Sequence, residues 1–138
     1  MGRTVAILIA RLIFGGVFVM AAVFKFMGME TTAGYIAAAG FPFPLVLAWV
    51  AAFFEVALAV GLLAGLYFTE TALLAAAYVL FLTFAFHGPA RWAGNQAEFG
   101  FFVDHFVFIA GLLFAAVHGP GSRLAIGKGL IWRKEWAK

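Results

Sequence analysis

Residues 45–66 read LVLAWVAAFFEVALAVGLLAGL, an apolar run whose single charged side chain is Glu55. A stretch of about 20 mostly apolar residues is what an α-helix needs to cross a bilayer. Similar stretches lie near residues 5–26, 71–87 and 99–117. Transmembrane barrel strands would instead alternate over segments of roughly ten residues. The sequence therefore predicts an all-α fold, an integral membrane bundle of four helices.

The composition agrees with a lipid environment. Of 138 residues, 66% are hydrophobic and 11% are charged, against roughly 45–50% and about 25% in ordinary soluble domains. A net charge of +3 on so apolar a chain indicates membrane topology rather than a nucleic-acid partner. With no cysteine, disulfides and Cys-ligated iron–sulfur clusters are excluded. We expect one membrane domain over residues 1–138, with membrane lipid as its surroundings.

The basic residues outside the four spans are unevenly distributed. An even number of spans places both termini on one side, and the side richer in Lys and Arg is cytoplasmic. The sequence thus predicts cytoplasmic termini in the inner membrane, with Trp132 and Trp136 of the basic tail 118–138 as an interfacial anchor. The terminal side carries Arg3, Arg123, Lys128, Arg133, Lys134 and Lys138, and the other side has Arg91 and Lys25.

The segment between the first two spans, residues 27–44, has helix signals of its own. Thr31 or Thr32 is a candidate N-cap, and Gly40 with Pro42 is a typical stop. We expect a short interfacial helix in this outer loop.

Several ionisable side chains lie within the apolar spans, where each charge costs about 2.5–3.5 kcal/mol near a helix centre. They should face the bundle and pair. Counting 1.5 Å per residue puts Arg11 and Glu55 within about 5 Å of the same depth, which predicts an Arg11–Glu55 pair. The same count brings Lys25, His87, Asp104 and His105 together near the outer boundary. Asp104 and His105 point about 100° apart, so only one can face the centre squarely.

Structural alternatives apply to each of these residues. Arg11 and Glu55 are as consistent with a pair that fixes helix register as with catalysis. Lys25 alone is typical of a snorkelling residue, and His87 of a helix end. A metal site formed with Glu98 is disfavoured, because no two candidate ligands share ligand spacing on one helix face. His87 and His105 are compatible with a bis-His haem, but nothing in the sequence argues for one.

A set of short motifs, in this order and spacing, resembles the DoxX family of the DoxX/DoxD-like membrane proteins over nearly the whole chain. The fourth span departs from the family pattern, with Asp104-His105 where an Asn is usual. The closing motif also lacks the usual Asp. The matching elements are Arg11 followed by Leu-Ile-Phe-Gly-Gly, Lys25, Tyr35 with Gly40-Phe41-Pro42 and Pro44, Glu55, His87, and residues 118–122, His-Gly-Pro-Gly-Ser.

The resemblance implies a four-helix bundle that acts as a subunit of a quinone-linked membrane oxidoreductase complex, for thiosulfate:quinone chemistry or oxidative-stress defence. On this hypothesis Asp104, His105 and Glu55 are catalytic. Arg11, Lys25 and His87 would hold the quinone. No covalent haem, iron–sulfur cluster or metal is expected, so a redox partner is needed.

A non-catalytic scaffold or assembly subunit is the alternative, with partner proteins or further copies of the chain on its faces. A transporter is disfavoured because four helices without inverted repeats offer little for alternating access.

Overall fold

The computed structural model describes residues 2–121, 124–126 and 129–131. These residues contain five α-helices and a short 3₁₀ turn, and no strand is found among them. Four of the helices are long and apolar enough to cross a membrane, which confirms the predicted four-helix membrane fold. The helices are α1 (Gly2–Met27), α2 (Met29–Ala38), α3 (Pro44–Ala64), α4 (Phe68–His87) and α5 (Gln96–His118), and the turn is Pro89–Arg91.

α4 and α5 are each longer than the spans that hydropathy predicts. α4 has 20 residues because it begins at Phe68, three residues before the predicted start at residue 71. α5 begins at Gln96, where the Asn95 side chain accepts a hydrogen bond from the Glu98 backbone N–H at 3.4 Å. The first turns of α4 and α5 contain polar residues, so a search for apolar runs placed the start of each helix too late. The expected anchor residues Trp132 and Trp136 lie outside the described residues.

The short helix predicted between the first two spans is present as α2, but its predicted N-cap is wrong. The helix begins at Met29, and Gly28 is the N-cap, directly after the end of α1. The Thr32 hydroxyl donates to the Gly28 carbonyl at 3.2 Å, and Thr31 lies within the first turn. The stop is confirmed, because the helix ends at Ala38 and the chain turns at Gly40.

The four long helices form two antiparallel pairs, α1 with α3 and α4 with α5. Small residues let the helices approach closely. Gly15 of α1 lies against the Leu63 side chain of α3, where a Cβ atom would collide with Leu63. Gly111 of α5 gives room to Phe14, whose ring would lie 2.7 Å from an added Cβ. The first contact fixes the register of α1 against α3, and the second fixes the register of α5 against α1.

The bundle is closed at one end and open at the other. At the terminal end, where α1 begins and α5 ends, Leu62, Phe68 and Leu112 are buried in a continuous core. Midway along the bundle, the rings of Phe14 and Phe18 pack on Phe108 of α5 at centroid distances of 5.1 and 5.9 Å. The opposite end, which carries α2, is called the α2 end. Towards it, a large cleft separates the two helix pairs.

Arg11 ties three segments together at the terminal end. Its side chain is 2% exposed. Nε donates to the Leu62 carbonyl at 3.2 Å, and Nη2 donates to the Leu63 carbonyl, both in the last turn of α3. Nη1 and Nη2 also reach the carbonyls of Pro120 and Leu124, at 3.3 and 2.8 Å. The guanidinium thus satisfies carbonyls that have no partner within α3, and its charge complements the C-terminal end of the helix dipole.

The predicted Arg11–Glu55 pair is therefore wrong. With Gly15 beside Leu63, Arg11 lies one turn beyond that level towards the terminal end, and Glu55 lies eight residues away in the opposite direction. The two residues are about 18 Å apart along the bundle axis at 1.5 Å per residue. The prediction estimated the depths of Arg11 and Glu55 from the predicted ends of their helices, and this estimate did not capture how α1 is aligned with α3.

We expect Arg11→Met to lower the free energy of unfolding in detergent by at least about 2 kcal/mol, because it leaves buried carbonyls unsatisfied. Arg91→Met, which removes an exposed guanidinium, is the control and should change the free energy of unfolding by less than about 0.5 kcal/mol.

Because Arg11 and Glu55 do not touch, the effects of Arg11→Met and Glu55→Gln on the free energy of unfolding should be additive within about 0.5 kcal/mol in denaturant titrations. A larger coupling energy would contradict this arrangement.

Candidate functional site

Glu55 lies in the middle of α3 and is almost completely buried, with 1% of its surface exposed. Its Oε1 atom accepts a hydrogen bond from Lys25 Nζ of α1 at 2.8 Å. The same oxygen accepts a second bond from the Tyr78 hydroxyl of α4 at 2.9 Å. Ala52 and Ala59, one turn on either side of Glu55, are buried and allow neighbouring helices to approach. We call Lys25, Glu55 and Tyr78 the Glu55 triad.

The Glu55 triad joins the two helix pairs, because Lys25 comes from α1, Glu55 from α3 and Tyr78 from α4. Glu55 Oε2 is buried and has no hydrogen-bond partner among the described residues. Lys25 retains 21% side-chain exposure. Lys25 and Tyr78 both line the cleft, and Glu55 lies behind them. The carboxylate therefore holds two polar groups at the cleft wall.

The cleft has a volume of about 950 Å³. This volume is at the upper end of the usual range for small-molecule sites, roughly 300–1,000 Å³. Its walls are mainly apolar and rich in phenylalanine, which suits a flat hydrophobic ligand. The phenylalanines are Phe24, Phe41, Phe54, Phe81 and Phe86.

His87 and His105 lie in the same cleft and form a second polar group, which we call the histidine pair. Their ring centroids are 5.0 Å apart. His87 Nδ1 lies 2.7 Å from Glu98 Oε2, and His105 Nδ1 lies 2.6 Å from the Phe101 carbonyl oxygen. The Trp92 indole N–H donates to the His87 carbonyl at 2.8 Å, which fixes the end of α4. Both imidazoles are thus held in defined orientations.

This arrangement places hydrogen-bonding groups on an otherwise apolar surface. The Lys25 ammonium has three donors, one of which is used by Glu55. Arg91, exposed in the turn after α4, adds a guanidinium to the cleft lining. Within the described ranges no cluster of three or more His, Cys, Asp or Glu has the geometry of a metal site. The site is equipped to hydrogen-bond the oxygens of a planar organic molecule.

The structure gathers some of the predicted site residues and separates others. Lys25, His87 and His105 line the cleft, with Glu55 behind Lys25. Arg11 lies at the terminal end, bonded to backbone carbonyls, and has no place in the cleft.

Asp104 is exposed on the outer side of α5 and is not part of the cleft lining, and Lys25 pairs with Glu55 instead. Adjacent helical residues point about 100° apart, and His105 is the one that faces the cleft.

Two residues of the site were missed from the sequence. Tyr78 carries a hydroxyl inside an apolar span, and such a hydroxyl needs a partner when it is buried. That requirement was the available signal. Glu98 was weighed only as a metal ligand, yet it lies in the first turn of α5 and pairs with His87. The short connection between α4 and α5 could have indicated this proximity.

We expect Lys25→Met to lower the free energy of unfolding in detergent by about 3 kcal/mol, because it leaves the Glu55 carboxylate buried without its cation. Glu55→Gln in the same background should restore part of the loss. A double-mutant cycle on Lys25 and Glu55, read by denaturant titration, should give a coupling energy of about 0.5–3 kcal/mol. Additive single effects would contradict the pairing.

The helices that form the site also carry the similarity of this chain to known proteins. The family model described as DoxX matches residues 6–88, which is more than half of the chain and extends from α1 through α4. No curated protein and no solved structure shows a significant match to the chain. The matched segment contains the Glu55 triad and His87, whereas Glu98 and His105 follow it. This chain, a multi-pass membrane protein by its four apolar helices, belongs to the DoxX family.

Proposed function

We propose that this chain is the quinone-binding subunit of a membrane oxidoreductase complex. The observation that carries the proposal is the phenylalanine-lined cleft with the Glu55 triad and the histidine pair in its walls. Polar and ionisable groups inside a membrane are costly and commonly mark a functional site. A cleft of this kind, within the membrane-spanning helices, suits a ligand that arrives from the lipid.

A quinone fits the chemistry of this cleft. Its ring is flat and apolar, its isoprenoid tail is hydrophobic, and its two oxygens lie on opposite sides of the ring. The Lys25 ammonium can donate to one oxygen, and the histidine pair, which lines the same cleft, can accept from the hydroxyl group that the other oxygen carries in the reduced form. The phenylalanine walls, including Phe54 and Phe81, would pack on the ring and the tail.

The residues of the site have different tasks in this proposal. His87, His105 and Lys25 contact the ligand, and Glu55 positions Lys25. Tyr78 fixes the Glu55 carboxylate from the other helix pair. In this proposal electrons are exchanged with a redox centre on a partner subunit, since a chain without cysteine cannot itself hold a thiolate-ligated iron–sulfur cluster.

Filling the cleft tests the proposal. Ala51 is half-buried and lines the cleft, and Ala57 on the same helix is exposed on the outside. We expect Ala51→Leu to lower the quinone recovered per chain at least several-fold, because the added side chain occupies the volume that the ring needs. Ala57→Leu, the matched control, should retain wild-type quinone. The measurement is solvent extraction and chromatographic quantitation of quinones from protein purified in mild detergent, with thermal unfolding of each variant alongside.

Wild-type protein that carries no quinone, and that shows no saturable binding of added decylubiquinone, would overturn the proposal. The scaffold role would then replace it. One observation favours that second candidate, because Asp104 is an exposed acidic residue on a membrane-spanning helix whose outer face is largely uncovered. A carboxylate at lipid-facing depth is costly, and a partner helix carrying a basic residue would compensate for it.

The orientation forms part of the proposal. The excess of basic residues on the side of both termini supports cytoplasmic termini in the inner membrane. A fluorescent protein that matures only in the cytoplasm should therefore be bright when fused after Lys138. The same protein inserted after Gly94, between α4 and α5, should be dark. The reverse pattern would contradict this orientation.

A further inference from the structure

The hydrogen bond of His105 determines which of its ring nitrogens carries a proton. Nδ1 lies 2.6 Å from the Phe101 carbonyl oxygen. A carbonyl oxygen only accepts, so Nδ1 must be the N–H donor. The neutral ring then has a bare Nε2, which is an acceptor, on the side of the ring away from Phe101. His105 therefore offers an acceptor to a ligand in the cleft.

His87 is held in the same way by a different partner. Its Nδ1 lies 2.7 Å from Glu98 Oε2, and an ionised carboxylate also only accepts. In the neutral ring Nε2 is again the acceptor. Glu98 is thus a positioning residue, which selects the tautomer of His87. When both rings are neutral, the histidine pair presents two acceptors to the same cleft.

Tyr78, which also lines the cleft, adds a third acceptor. The Tyr78 hydroxyl donates its proton to Glu55, so its oxygen retains lone pairs for a ligand. Lys25 is the donor beside it, and Arg91 supplies donors from an exposed position. The cleft therefore presents several acceptors, and a ligand without N–H or O–H groups cannot donate a hydrogen bond to any of them.

We infer that the cleft binds the hydroquinone form in preference to the quinone form, an inference that rests on the proposed quinone-binding function. A quinone has carbonyl oxygens only, which pair with Lys25 but leave the histidine acceptors without a donor. A hydroquinone brings two O–H groups, and each hydroxyl oxygen still accepts a bond. A polar site discriminates strongly against a ligand that leaves its groups unpaired.

We expect the hydroquinone form to bind at least about tenfold more tightly than the quinone form. By linkage, tenfold tighter binding of the reduced form of a two-electron couple raises its midpoint potential by about 30 mV.

Isothermal titration calorimetry under anaerobic conditions tests the preference on the detergent-solubilised full chain. The probes are durohydroquinone, duroquinone and the dimethyl ether of durohydroquinone, which keeps the ring but has no O–H donor. Durohydroquinone should bind at least tenfold more tightly than either of the others. His105→Phe should lower this ratio towards one by weakening the binding of durohydroquinone. His118→Phe, at the opposite end of the same helix, is the matched control and should retain the wild-type ratio.

A second measurement reads the tautomers directly and does not depend on ligand affinity. The chain has three histidines, so ¹⁵N-histidine labelling gives few ring signals. Each signal is assigned by its disappearance in a variant in which that one histidine has been replaced. His87 and His105 should both be Nδ1–H tautomers, and durohydroquinone should shift the Nε2 signals of these two residues but not of His118. Glu98→Gln should change the signals of His87 and leave those of His105 in place.

The outcomes separate this inference from the proposed function. Equal affinity for duroquinone and durohydroquinone, or Nε2–H tautomers in the histidine pair, would overturn the preference and leave quinone binding intact. Tight binding of the dimethyl ether would also overturn it, because affinity would then come from apolar contact alone. Failure of all three probes to bind would overturn the proposed function together with the inference.

Discussion

The carboxylate of Glu55 is the constraint on which the rest of the structure depends. It lies in the middle of a membrane-spanning helix, where an isolated charge is unstable, so it requires a cation and further hydrogen bonds. Lys25 and Tyr78 supply them from the two helix pairs. The same contacts that neutralise the carboxylate therefore set the distance between the pairs and place an ammonium and a phenol at the cleft wall. The ion pair inside the bundle and the polar part of the cleft wall therefore share one set of atoms.

Arg11 has the complementary task at the terminal end. It bonds the last carbonyls of α3 and the carbonyls of Pro120 and Leu124, where the chain continues beyond α5. Together with the apolar core around Leu62 and Leu112, it closes that end. With one end closed and the Glu55 triad near the middle, the helix pairs separate only towards the α2 end. The position of the cleft therefore follows from where the hydrogen bonds of Arg11 and of the Glu55 triad lie along the bundle.

The sequence predicted the four membrane helices because long apolar runs leave few alternatives. It did not predict which charges would pair, because that depends on helix register. Gly15 packing against Leu63 moves Arg11 away from Glu55 and brings Lys25 to it. The choice between Asp104 and His105 likewise depends on the rotation of α5, which two adjacent residues cannot fix. Tyr78 was missed because its role needs Glu55 on a neighbouring helix.

Photoaffinity mapping with an azidoquinone tests the central claim, that the cleft between the helix pairs is the quinone site. After illumination of the purified protein, tandem mass spectrometry locates the labelled peptides. Labels should fall on cleft residues such as Phe24, Phe54 and Phe81, and an excess of unlabelled quinone should remove them. Labels on the outer face of α5 around Asp104, or labelling that excess quinone does not reduce, would contradict the account.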